Sequence, residues 1–141
     1  MNDPINHPAH YTSHSSGVEC IQLTEHMNFN LGNALKYLWR AGLKDATARD
    51  LGKAEWYVTR EIQLIERYNR SWRGKLRRWL NARKPATNEQ RTAIERYMPS
   101  LDWGHVDTAI MLIIRYSDDV RALESAAGHI SDARYAAIVD E

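Results

Sequence analysis

The chain has one cysteine, Cys20, so an internal disulfide framework is excluded and a reducing compartment fits. Seven glycines and four prolines in 141 residues are too few for a fibrous or low-complexity chain. No apolar run approaches the roughly 20 residues that a membrane-spanning helix needs. The longest, 109–114, is bounded by Asp107 and Arg115. The N-terminal stretch lacks the hydrophobic segment of a secretory signal. Neither a Gly-rich run ending in Lys-Ser/Thr nor a dinucleotide-binding glycine fingerprint occurs, so a standard phosphate-cradling loop is excluded. These absences point to a soluble, cytoplasmic protein with no membrane partner.

What is present is unevenly charged. Net charge is +1, but residues 60–100 hold eleven basic against four acidic side chains. Residues 101–141 hold three basic against eight acidic, so segments or subunits can attract one another. The length suits one compact unit with a real core. The change in composition near residue 70 separates a first part, 1–69, from a C-terminal extension, 70–141. The extension either packs on the first part or mediates oligomerisation.

Apolar periodicity predicts an all-α fold of five or six helices, with a helical hairpin at its core and a long, basic third helix. The first sixteen residues, with Pro4 and Pro8, read as an ordered or semi-ordered arm. Ser16 and Glu19 have capping-box spacing for a helix over 18–27. Asn28 or Asn30 starts a second helix over about 31–41, and Gly42 supplies its left-handed C-cap. A third helix starts near Thr47. It carries Leu51, Ala54, Val58, Ile62, Ile65 and Tyr68 on one stripe, with Glu61 and Glu66 towards solvent. A helix over 88–97 is expected next. Asp102 then caps a helix that runs to Ala127, Gly128 closes it, and Ser131 caps a last helix over 132–139.

The chemistry-bearing residues concentrate in the hairpin. Lys36 and Arg40 lie one turn apart, Lys44 follows in the loop, and Lys53 comes from the next helix. Phosphate recognition wants convergent cations of this kind, arginine as a planar fork and lysine as a mobile charge. Tyr37, Trp39, Trp56 and Tyr57 edge the same seam, which on residue types alone reads first as a core with a basic rim and also suits a planar, phosphorylated ligand. Asn33 can orient a base or the arm. His7, His10 and Tyr11 can donate hydrogen bonds to an anion or cap local backbone. Glu25, Asp45 and Asp50 read as solvent or capping residues. Scattered histidines and one cysteine make no metal pattern, and Cys20 and His26 read as packing or surface. The segment 70–84, RSWRGKLRRWLNARK, places Arg70, Arg73, Lys75, Arg77, Arg78, Arg83 and Lys84 among tryptophans. That is a combination for nucleic acid, or for the acidic tail of a neighbouring subunit.

The blocks HPAHY, GVECIQLTEHM, NLGNALKYLWRAGLKD and DLGKAEWYVTREI resemble a small bacteriophage domain, also called the SaV-like domain, over about residues 6–63. The domain occurs in phage proteins described as nucleotide kinases. Its pattern falls on His7, His10, Tyr11, Asn33, Lys36, Arg40, Lys44, Lys53 and Tyr57, among others. The resemblance implies a nucleotide pocket lined by the arm and both helices. It implies ATP or a deoxynucleotide as the ligand, with no tightly bound cofactor. It further implies a homo-oligomer acting in the cytoplasm of an infected cell. The activity would be a deoxynucleoside monophosphate kinase-like phosphotransfer without a Walker loop. The alternatives are a counter-defence role, sequestering a nucleotide signal or binding a host defence protein, and nucleic-acid binding through 70–84.

Overall fold

The structure is a computed structural model that describes residues 8–12, 16–43, 46–71, 92, 94, 96, 97 and 104–140. It is all-helical. Six helices are described: α1 (Ala9–Thr12), α2 (Cys20–Thr24), α3 (Phe29–Arg40), α4 (Thr47–Asn69), α5 (His105–Arg115) and α6 (Val120–Val139). None is long and apolar enough to cross a membrane.

Two antiparallel hairpins, α3–α4 and α5–α6, pack through α4 and α6. The first hairpin forms where the spacing predicts it. Asn28 caps α3, its Oδ1 accepting from the Leu31 N–H at 2.9 Å. Gly42, at φ +82°, ends the turn in the left-handed region that suits glycine. Leu31, Ala34, Leu35 and Leu38 of α3 meet Leu51, Ala54 and Val58 of α4 in the core. Tyr68, expected on the same stripe, is exposed, because α4 is close to its end there.

Several boundaries depart from the sequence reading. Residues 9–12 form a helical turn rather than loop, because Pro8 offers its carbonyl to the Tyr11 N–H at 2.9 Å. The helix expected over 18–27 is shortened to Cys20–Thr24. Its N-cap is Glu19, whose N–H donates to Gln22 Oε1 at 2.9 Å, while Ser16 Oγ accepts from the Val18 N–H, ahead of the helix. The predicted helix from about 103 to Ala127 is two helices. Asp119 starts the second by accepting from the Arg121 and Ala122 N–H groups, so the break falls at 116–119. Gly128 lies inside α6, and Ser131 caps nothing. A helical glycine costs only about 1 kcal/mol relative to alanine, and the buried face of Leu123, Ala126 and Ile130 carries α6 through it.

Glu61, expected in solvent, clamps the start of α3, accepting from Asn28 Nδ2 at 3.0 Å and Asn30 Nδ2 at 2.8 Å. On the other side of α4, Arg134 of α6 lies across Gly52 and donates to Glu55 at 3.1 Å. Of the expected helix over 88–97, Thr92, Ile94, Arg96 and Tyr97 are described, and all are helical. Tyr97 is buried and donates to Asp107 Oδ1 at 3.0 Å, joining this stretch to α5.

Ile130 of α6 has no exposed surface. Ile130→Ala is expected to cost about 2–5 kcal/mol in urea unfolding, through lost transfer energy and a residual cavity. A loss below about 1 kcal/mol would place α6 outside the core.

Candidate functional site

The hairpin is locked by a buried ion pair. Arg40, in the last turn of α3, donates from Nη2 to Asp50 Oδ1 at 2.9 Å. Lys53 Nζ reaches the same oxygen at 3.2 Å. Asp50 is fully buried, which corrects its reading as a solvent or capping residue. Its other oxygen, Oδ2, is also buried, with no hydrogen-bond partner among the described residues. A signal for this burial was in the sequence. Asp50 precedes Ala54 and Val58 by four and eight positions, on the apolar stripe itself.

Burial disfavours charge on Arg40, but the hydrogen bond and charge of Asp50, with a hydrogen bond to Tyr11, outweigh it. The guanidinium is held above its already high ordinary value. Tyr11 thus docks the arm onto the hairpin. Because Arg40 is buried and committed to Asp50, it acts on the site as a positioning residue.

Around this lock, three cations converge on one aromatic ring. Lys36 Nζ, Arg40 Cζ and Lys53 Nζ lie 4.7, 4.8 and 5.0 Å from the Tyr37 centroid. Tyr57 stacks on Tyr37 at 5.9 Å with an interplanar angle of 16°. Phe29 and Trp56 meet Tyr57 edge-on at 6.0 and 4.9 Å. Trp39, expected on this seam, is instead buried against Tyr97, with ring centroids 5.3 Å apart. Its position on α3 turns it to the side that meets α5. Asn33 is held locally, donating to the Phe29 carbonyl at 2.7 Å and accepting from Lys36 Nζ at 2.7 Å. It orients that lysine.

A pocket of about 280 Å³ adjoins this cluster. Pro8, Tyr11 and Thr12 of the arm form one wall, Glu19, Cys20, Ile21 and Thr24 the other, and Lys36 lies at its edge. Its size is just below the roughly 300–1,000 Å³ range of small-molecule sites. Cys20 is no nucleophile there. Burial pushes its thiol up from 9.0 to about 12, against the pull of Lys36 and a hydrogen bond with Thr24.

The structure therefore brings together Tyr11, Asn33, Lys36, Arg40, Lys53 and Tyr57 of the expected site. His7, the His10 side chain and Lys44 lie outside the described residues. So do Arg73, Lys75, Arg77, Arg78, Arg83 and Lys84; Arg70 is described, as the exposed C-cap of α4. Sequence reasoning missed Glu19, Thr12 and Thr24 as pocket walls, because nothing in a linear pattern says that the arm folds onto α2. Among the described residues no group of three His, Cys, Asp or Glu side chains is arranged to hold a metal ion.

Two outcomes follow from this geometry. Asp50→Ala leaves a buried guanidinium without its counter-charge and should cost about 3–5 kcal/mol. The paired change Arg40→Met with Asp50→Leu should recover most of that loss, as a double-mutant cycle in denaturant will show. Equal losses in the single and paired variants would contradict the lock. For Cys20, the folded thiol ionises at a higher pH than the unfolded one, so its contribution is intact below 9.0 and lost as pH climbs towards about 12. Alkylation of the native protein below its ordinary 9.0 should be slow and should become fast on unfolding. Fast labelling without unfolding would show the thiol to be open.

No curated protein and no solved structure matches the chain. The part that carries the pocket and the Tyr37 cluster, residues 5–59, matches DUF3310, described as a protein of unknown function.

Proposed function

We propose that this protein binds a phosphorylated nucleotide, with the phosphate at Lys36 and Lys53 and the nucleoside in the pocket between the arm and α2. The observation that carries the reading is the convergence of Lys36, Arg40 and Lys53 on Tyr37, beside a pocket that shares Lys36. Lys36, Arg40 and Lys53 gather around Tyr37 beside the carboxylate of Asp50, and convergent cations of this kind suit a phosphate. Lys36 and Lys53 are half-buried, so their charges are less screened than on an open surface while their heads still reach solvent. Glu19, Thr12 and Thr24 supply acceptors and donors for a base or sugar, and Pro8 and Ile21 supply apolar contact.

The pocket's size favours a mononucleotide over a dinucleotide. The resemblance to the SaV-like phage domain extends the reading to a phage protein and to phosphotransfer onto a deoxynucleoside monophosphate. With the same site, binding alone would sequester a nucleotide signal.

Calorimetric titration with each nucleoside and deoxynucleoside monophosphate tests binding. Lys36→Gln and Lys53→Gln should each weaken affinity roughly 10- to 100-fold, the worth of a charge-assisted hydrogen bond of about 1.5–3 kcal/mol. Binding that ignores both changes, or no binding at millimolar nucleotide, would overturn the proposal. Incubation with ATP and each deoxynucleoside monophosphate, followed by product separation, tests the extension. If no diphosphate forms, the function is binding alone.

A further inference from the structure

The long helix α4 divides its charges by side. Three of its four acids turn towards neighbouring elements, and the fourth, Glu66, is exposed. Asp50 is buried against Arg40, Glu55 holds Arg134, and Glu61 holds Asn28 and Asn30. Its cations recur every three to four residues on the opposite side. Arg49, Lys53, Arg60 and Arg67 fall within one narrow stripe at 3.6 residues per turn, and Arg70 follows at the C-cap. Leu51, Ala54, Val58 and Ile65 define the buried side, so this stripe faces outward. Arg49, Arg67 and Arg70 are exposed and Arg60 is half-buried. None of these four arginines forms an ion pair among the described residues. In the middle of the stripe stands Trp56, 60% exposed and braced edge-on by Tyr57 at 4.9 Å.

We infer that the outer face of α4 is a track for single-stranded nucleic acid, with Arg49, Lys53, Arg60, Arg67 and Arg70 on the phosphates and Trp56 stacking a base. At 1.5 Å per residue the row is about 31 Å long, room for several nucleotides. Cations alone would attract any polyanion. An aromatic ring held rigid and exposed among them adds a face on which an unpaired base can stack, which a duplex does not offer. Net positive charge arises here because three of the four acids of the same helix are committed elsewhere, leaving Glu66 against five cations. This surface differs from the nucleotide pocket and shares with it only Lys53. It is also distinct from the basic run 70–84, of whose cations Arg70 is the one described.

Fluorescence anisotropy of a labelled oligothymidylate over a salt series tests the inference on the full chain. About five phosphate contacts predict a log–log slope near −3.5, at about −0.7 per contact for a single strand. The double variant Arg60→Gln/Arg67→Gln should reduce the slope by about 1.4. Trp56→Ala should weaken binding roughly five- to a hundred-fold at unchanged slope. Nucleotide affinity in the pocket should be unaffected by Arg60→Gln/Arg67→Gln, which separates this inference from the previous proposal. Four results would overturn it: no binding at low salt, a slope insensitive to the arginine changes, full affinity in Trp56→Ala, or equally tight binding of duplex or polyglutamate.

Discussion

A carboxylate with no exposed surface, Asp50, holds the first hairpin together from inside. A charge so placed is tolerable only when an opposite charge meets it at bonding distance, and Arg40 does so at 2.9 Å. The pair stabilises the hairpin less than it specifies it. A shift in helix register would leave two ions buried apart, at a cost of several kcal/mol. Three features of the candidate site depend on that register: Lys53 on the shared oxygen, Tyr57 stacked on Tyr37, and Tyr11 bonded to Arg40. The arm, the phosphate edge and the aromatic stack therefore have a common anchor.

The second hairpin acts as a buttress. α6 packs along α4, and Arg134 can cross there because Gly52 has no side chain; a Cβ would lie 3.3 Å from the guanidinium. α5 covers α6 and touches α3, with Tyr97 wedged between Trp39 and Asp107. At the α5–α6 face His105 and His129 bring Nδ1 atoms within 3.2 Å, a polar contact at the edge of an otherwise apolar seam. Among the described residues α4 is packed on both sides, and its arginines and Trp56 stand on its outer face.

Much of this was legible in the chain. The period of Leu31, Leu35 and Leu38, the cap at Asn28 and the turn at Gly42 specify the first hairpin from local physics alone. The errors arose where two local signals competed. Gly128 read as a stop, yet the apolar face around it is continuous and the aspartate at 119 is the stronger boundary. Ser16 read as a cap, yet Glu19 and Gln22 form the reciprocal pair. Glu61 read as solvent-facing because a glutamate on an amphipathic helix usually is, and its two asparagine partners lie more than thirty positions away.

By itself the sequence determined an all-helical chain, the first hairpin, and the set of cations from which any anion site must be drawn. These follow from spacing and capping, which act within a few residues. Only the tertiary structure decided which charges face each other. It buried Asp50, turned Trp39 inward, folded the arm onto α2 and left one side of α4 basic. The physical reason is range: a helix period tells which residues share a face, but whether that face meets an opposite charge, an apolar wall or water depends on segments brought together by the fold.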